Sequence, residues 1–170
     1  PRDCVCRGHG IFCHKANMPA VPVVSSGMKS IVLEGCSLKR IQWSKTRPKI
    51  FTYRIMMSGC GLKILNRNIF GQHTSLVELG LMYNDITSLS SDIFNDLANL
   101  KKLNIDGNPL LTLNINMFYG LHTLLYLSIA YCHITNVKER YFLRLNVLNT
   151  LNMSYNNLNL RSEEHTSELQ

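Results

Sequence analysis

Leu100-Lys101-Lys102-Leu103-Asn104-Ile105-Asp106-Gly107-Asn108-Pro109-Leu110 is the stretch from which the rest of the chain can be read. Apolar residues stand at Leu100, Leu103, Ile105 and Leu110 around Asn108, and the pattern runs on through Leu113, Phe118 and Leu121. Shifted by 24 residues either way, the same spacing returns. Around Asn84 it reads Leu76, Leu79, Leu81, Ile86, Leu89, Phe94 and Leu97; around Cys132 it reads Leu124, Leu127, Ile129, Ile134, Val137, Phe142 and Leu145. All 21 template positions in these three units are apolar. At the chain's 45% apolar usage, chance agreement with such a template is below about one in ten million. Cys36, Cys60, Asn84, Asn108, Cys132 and Asn156 form a single 24-residue series without a slip.

The outer units weaken in an orderly way. The Cys60 unit keeps Ile55, Met57, Leu62, Leu65 and Phe70 but carries Thr52 and His73 at leucine positions. The Cys36 unit keeps Met28, Ile31, Leu33, Leu38 and Ile41 and loses the pattern from Trp43 to Lys49, and the Asn156 unit keeps Leu148, Leu151, Met153 and Leu158 before its next apolar slot falls on Arg161. Terminal units of a stacked array are expected to be atypical because they face a cap. The spacing matches the L-x-x-L-x-L-x-x-N/C-x-L pattern of leucine-rich repeats. The fold expected is therefore an α/β-type leucine-rich-repeat solenoid, a horseshoe with short parallel β-strands on its concave face and irregular or 3-10 turns on its convex face. Each x-L-x-L-x segment alternates with period two and makes a strand, and strands of adjacent rungs pair roughly 4.8 Å apart. A buried ladder Asn can donate to and accept from backbone groups of adjacent turns that burial would otherwise leave unpaired. The phenylalanines of the return legs are expected to stack into an aromatic spine.

Three segments follow: a cysteine-containing, incomplete N-terminal cap over 1–27, six 24-residue repeats over 28–160, and an end, 161–170, that resembles the translation of a sequencing-library adapter. That end is set aside as non-native. The formal charge of +7 then becomes +9, from 17 basic and 8 acidic residues in 1–160. Residues 1–54 hold ten Lys or Arg against Asp3 and Glu34. Such a flank can attract sulfated glycans, though a solvated basic face is the plainer reading. No apolar run approaches membrane-spanning length, so any membrane anchor is expected outside this fragment. The opening at Pro1-Arg2-Asp3-Cys4, with no apolar leader, reads as a fragment.

Cys4, Cys6 and Cys13 precede the repeats with spacing C-x-C-x6-C, and His9 and His14 lie among them. A C-x-C pair is a poor chelate for one tetrahedral metal, so disulfides are favoured over zinc or free thiols. Disulfides place the chain in an oxidising setting, on the extracellular face of the plasma membrane or secreted. Cys36, Cys60 and Cys132 occupy ladder slots with Asn84, Asn108 and Asn156 and are expected to be buried and reduced. No bridge is expected between Cys36 and Cys60.

The concave strands carry the side chains that vary from rung to rung. The binding candidates there are Glu34, Arg54, Met56, Glu78, Met82, Lys102, Asn104, Asp106 and Tyr126, with Tyr83, Tyr131 and Tyr155 as an aromatic edge. Tyr, Met and isolated charges of this kind suit recognition of a protein or peptide partner. One glycosylation sequon, Asn152-Met153-Ser154, falls on the last strand. No catalytic constellation is present in the sequence: Gly59-Cys60-Gly61 and Gly8-His9-Gly10 lack a phosphate-binding continuation, and no acidic pair is fixed as acid and base. A non-enzymatic chain without cofactor, metal or nucleic-acid partner is expected.

Cys4-Val5-Cys6…Cys13 resembles the N-terminal cysteine cap of extracellular leucine-rich-repeat proteins, which reads in full C-x3-C-x-C-x6-C. That resemblance implies a Cys4–Cys13 disulfide and leaves Cys6 without its partner. Repeats such as Asp92-Ile93-Phe94-Asn95-Asp96-Leu97…Leu103-Asn104-Ile105-Asp106-Gly107-Asn108-Pro109 are similar to those of relaxin-receptor-like G-protein-coupled receptors. The resemblance implies a ligand-binding receptor ectodomain, with Glu34, Glu78 and Asp106 matching the acidic concave residues that hold a hormone. A secreted or matrix adhesion protein without signalling is the alternative.

Overall fold

A computed structural model describes residues 3–22, 27–38, 41, 43, 51–67 and 69–159. The adapter-like end, the slot at Arg161, and six of the ten basic residues of the flank (Arg2, Lys39, Arg40, Lys45, Arg47 and Lys49) lie outside them.

Alternation of apolar and polar residues sets the strands. They are β1 (Cys4–Arg7), β2 (Gly10–His14), β3 (Asn17–Met18), β4 (Ser30–Glu34), β5 (Ser37–Leu38), β6 (Arg54–Ser58), β7 (Glu78–Gly80), β8 (Lys102–Asn104), β9 (Tyr126–Ser128) and β10 (Thr150–Asn152). Eight of them form one sheet in the order β1-β2-β4-β6-β7-β8-β9-β10, while β3 and β5 pair separately. From β2 onward the large sheet is parallel, and from β4 onward it is in register by whole repeats, so Ile31, Ile55, Leu79, Leu103, Leu127 and Leu151 are lateral neighbours. The solenoid is thus the expected leucine-rich-repeat architecture. The return legs are turns, with one 3-10 helix at Glu139–Tyr141 among the described residues.

The inward residues make one continuous core. Ile31, Leu33, Ile55, Met57, Leu79, Leu81, Leu103, Ile105, Leu127 and Ile129 are all buried. On the convex side the aromatic spine is two stacked pairs, Phe70 on Phe94 with centroids 6.5 Å apart and Phe118 on Phe142 at 5.9 Å. The two polar residues at leucine positions are both fully buried. Thr52 donates its hydroxyl to the Met28 carbonyl at 3.5 Å. Among the described residues His73 has no hydrogen-bond partner on either ring nitrogen; it meets the edge of Trp43, centroids 4.3 Å apart.

The ladder residues tie each turn to the one before. Asn84 donates through Nδ2 to the carbonyls of Met57 (2.7 Å) and Leu81 (2.9 Å) and accepts at Oδ1 from Cys60 N–H (2.8 Å) and Leu62 N–H (3.2 Å). Asn156 repeats this with Ile129, Met153, Cys132 and Ile134. A cysteine in the slot donates but offers no comparable acceptor. Cys132 Sγ donates to the carbonyls of Ile105 (3.4 Å) and Ala130 (3.3 Å). In the preceding turn Leu110 N–H bonds Asn108 O instead, and Leu111 takes a φ of 60°. Cys36, Cys60 and Cys132 are free and buried. Burial pushes the Cys60 thiol up to about 11 and raises that of Cys132, so both are protonated at neutral pH and poor nucleophiles.

Candidate functional site

The cap is part of the concave sheet. Cys4 and Cys13 are bridged, with Cα atoms 4.1 Å apart, and they face each other across the antiparallel β1–β2 pair, while Cys6 is free and exposed. Because successive side chains alternate, the inward bridge turns Val5 and Phe12 outward; they are 51% and 41% exposed. β2 then pairs in parallel with β4, which places Phe12 beside Val32. The middle concave row therefore runs across all eight strands as Val5, Phe12, Val32, Met56, Gly80, Asn104, Ser128 and Asn152. It is apolar at the cap end and amide- and hydroxyl-bearing at the far end.

Two flanking rows follow the same register. One runs Arg7, Gly10, Ser30, Arg54, Glu78, Lys102, Tyr126 and Thr150. Arg54 Nε sits 3.0 Å from Glu78 Oε2, an adjacent-rung ion pair. The other row begins with His14 and Glu34, 3.7 Å apart and both exposed. It continues by the 24-residue period through Met82 and Asp106. Asp106 is half-buried, and its Oδ1 accepts from the Ser128 hydroxyl and the Ala130 N–H, each at 2.7 Å. Ser128 Oγ in turn accepts from Asn152 Nδ2 at 3.0 Å. Asn152 Oδ1 is taken by Ser154, through its hydroxyl (2.8 Å) and its N–H (3.1 Å). The sequon asparagine thus lies half-buried in a hydrogen-bonded chain on the concave face.

Not every varying concave position is exposed. Gly80, Ser128 and Ala130 are buried: Met56 and Met82 lie over Gly80, and Asp106 bonds the Ser128 hydroxyl and the Ala130 N–H. At Gly80 an added Cβ would meet the sulfurs of Met56 at 2.7 Å and Met82 at 3.0 Å. Beside it lies a hollow of about 220 Å³ walled by Met56, Glu78, Leu79, Lys102, Asn104 and Tyr126. Five of the binding candidates thereby converge on one place. Glu34 lies apart, in a second hollow of about 300 Å³ at the cap, with Asp3, Val5, Arg7, Phe12, His14 and Val32. A larger one, about 460 Å³, opens away from these rows between Leu38, Ile41 and the 61–69 turn.

The aromatic edge is ordered by the backbone. The residue before every ladder position, Gly35, Gly59, Tyr83, Gly107, Tyr131 and Tyr155, has a φ between 54° and 68°. In the first five its N–H bonds the next rung, as Tyr83 N–H does to Asp106 O at 2.8 Å. Glycine takes this conformation freely; tyrosine takes it at a cost. Tyr83 lies against Gly107, where a Cβ would come 2.5 Å from its ring. Desolvation, then the hydrogen bond and charge of Tyr155, raise the Tyr131 phenol above its ordinary range, so it is neutral at physiological pH.

Val5, Phe12 and His14 are surface residues that reading the repeats alone did not reach. The signal was present: Val5 between two cysteines and Phe12 beside a third alternate out of phase with an inward bridge.

Residues 74–134 match the leucine-rich-repeat family. No curated protein matches the chain. Among solved structures, human 5T4 (Wnt-activated inhibitory factor 1, trophoblast glycoprotein) is similar with a TM-score of 0.77 and 20% identity, covering 93% of this chain and 63% of that one. The TLR13–ssRNA13 complex is similar with a TM-score of 0.67 and 21% identity, covering 85% of this chain and 24% of that one. The chain spans less than two thirds of either. These likenesses are of fold: the chain is a leucine-rich-repeat solenoid.

Proposed function

We propose that this leucine-rich-repeat solenoid is the ligand-binding part of a cell-surface receptor and holds a protein or peptide on its concave sheet. The carrying observation is the middle row of eight lateral neighbours, apolar from Val5 to Met56 and polar from Asn104 to Asn152. A sheet that presents an apolar centre beside isolated charges and tyrosines has the makeup of a protein-recognition surface. The Cys4–Cys13 bridge supports an oxidising, extracellular setting.

The finer reading is a relaxin-receptor-like G-protein-coupled receptor that binds a peptide or protein hormone. It rests on the sequence resemblance, and within it Glu34 is the acidic residue open to solvent. The second reading is a secreted or matrix adhesion protein. One observation favours it: Glu34, Glu78 and Asp106 stand on three different rungs, and the last two are engaged within the chain.

A photo-crosslinking residue placed at Glu34 or Tyr126, on the concave face, tests binding against the same residue at Ile64 or Leu143, which are 83% and 65% exposed elsewhere. On intact cells and in conditioned medium, adducts are expected from the concave pair alone. Adducts from the other pair alone, or from neither, would overturn the reading. Transcript sequence past Leu160 separates the two classes: seven apolar stretches mark the receptor, a cysteine-rich closing cap the adhesion protein.

A further inference from the structure

The hollow beside Gly80 has chemistry of its own. The Met56 and Met82 side chains fill the space over Gly80, and the hollow lies next to them, walled by Met56, Glu78, Lys102, Asn104 and Tyr126 around Leu79. Its volume of about 220 Å³ holds roughly seven waters at their liquid volume, so a single side chain of a partner can displace them.

We infer that this hollow is a socket for one carboxylate of the protein ligand, received by Lys102, Asn104 and Tyr126. The inference rests on the concave-face reading and specifies the ligand's chemistry there. Three observations carry it. Glu78, the acid in the wall, is already paired with Arg54 at 3.0 Å. Lys102, one rung further along the same row, has no ion-pair partner among the described residues. Asn104 Oδ1 accepts the Asp106 N–H at 2.9 Å; a backbone N–H can only donate, so the amide orientation is settled and the two Nδ2 hydrogens are left to donate. Tyr126, the lateral partner of Lys102, adds a hydroxyl at the rim.

The socket therefore offers donors of one net positive charge over an apolar floor. Low-dielectric walls strengthen a charged hydrogen bond relative to the same contact in water. A carboxylate only accepts, which suits the ammonium, the amide and the hydroxyl alike; a neutral amide would set its own donor against the ammonium. The carboxylate can come from an Asp or Glu side chain or from a chain terminus.

Random dodecapeptides displayed and selected on the immobilised full chain test this. Enriched peptides are expected to share an acidic residue or to require a free C-terminus, and synthetic versions separate the sources: Asp→Asn or Glu→Gln affects one, C-terminal amidation the other. The decisive change should weaken binding at least tenfold. Lys102→Glu should weaken it equally, whereas Lys101→Glu, next to it but outside the hollow, should not. Acid-free peptides that bind Lys102→Glu as well as the parent would overturn the socket, and so would failure to enrich any peptide. If such peptides lose affinity with Glu34→Lys or Tyr131→Ala, the socket falls while concave binding stands. If they respond only to Ile64→Lys or Leu143→Lys, concave binding itself falls.

Discussion

Tyr131 and Tyr155 lie ring upon ring, centroids 4.3 Å apart and planes 7° from parallel, each carried by a left-handed backbone residue. The repeat places them 24 residues apart in equivalent turns, and the shared backbone conformation aims both rings the same way. A stacked pair of this kind is worth about 1 kcal/mol beyond the area it covers. It also presents a flat aromatic surface at the edge of the concave sheet.

The same turn position predicts an unusual order of stability at Tyr83. Alanine there keeps the left-handed strain and loses the ring contact with Gly107; glycine loses the contact but removes the strain. Tyr83→Gly is expected to be more stable than Tyr83→Ala by about 1 kcal/mol, read from urea denaturation of both variants. Equal midpoints would refute the strain.

Asn108 is fully buried, donates to the carbonyls of Leu81 (2.9 Å) and Ile105 (2.8 Å), and accepts from Ile86 N–H (3.2 Å). Asn108→Ala leaves these groups unpaired and should cost about 3 kcal/mol, since each buried orphan costs about 1–3. Asn108→Cys should cost less, because the thiol in the equivalent slot at Cys132 still donates to two carbonyls. Thermal melts of both variants check the order.

His73 links stability to pH. Burial lowers its pKa from 6.5 to about 4, so the folded state holds it neutral and the unfolded chain binds the proton more readily. Its contribution is therefore fully present above about pH 6.5 and is lost as pH falls towards 4, by up to about 3 kcal/mol. His73→Leu removes the buried, titratable ring and restores the residue usual at that slot. Urea melts at pH 7 and pH 4.5 should show a smaller pH-dependent loss in the variant than in the parent. Identical losses would count against the assignment.

The Cys4–Cys13 bridge closes a short loop, so its effect should be modest and local. Removing it, as Cys4→Ser, is expected to cost about 2–3 kcal/mol. Hydrogen exchange should rise in β1 and β2 and stay unchanged in β8 and β9. Uniform exchange across the sheet would mean that the cap supports the whole solenoid.

Much of the fold could be read from spacing. The apolar template around Asn84 predicted burial for Leu76, Leu79, Leu81, Ile86, Leu89, Phe94 and Leu97, and all seven are buried. The parallel register was legible for the same reason: a constant repeat length stacks equivalent residues side by side. The candidate site was less legible. Met56, Glu78, Lys102, Asn104 and Tyr126 look like separate strand exteriors in sequence, and nothing local says that they wall one hollow. Ser128 and Ala130 look like surface positions, yet the Asp106 carboxylate and neighbouring side chains cover them.

By itself, then, the amino-acid order determined the rung, its inward residues and its ladder, because those depend on period alone. Tertiary structure decided which outward residues meet, how Phe12 joins the row of Val32, and which charges are already spent. Those outcomes depend on lateral neighbours a full turn away and on side-chain length competing for the same space, and no periodicity encodes them.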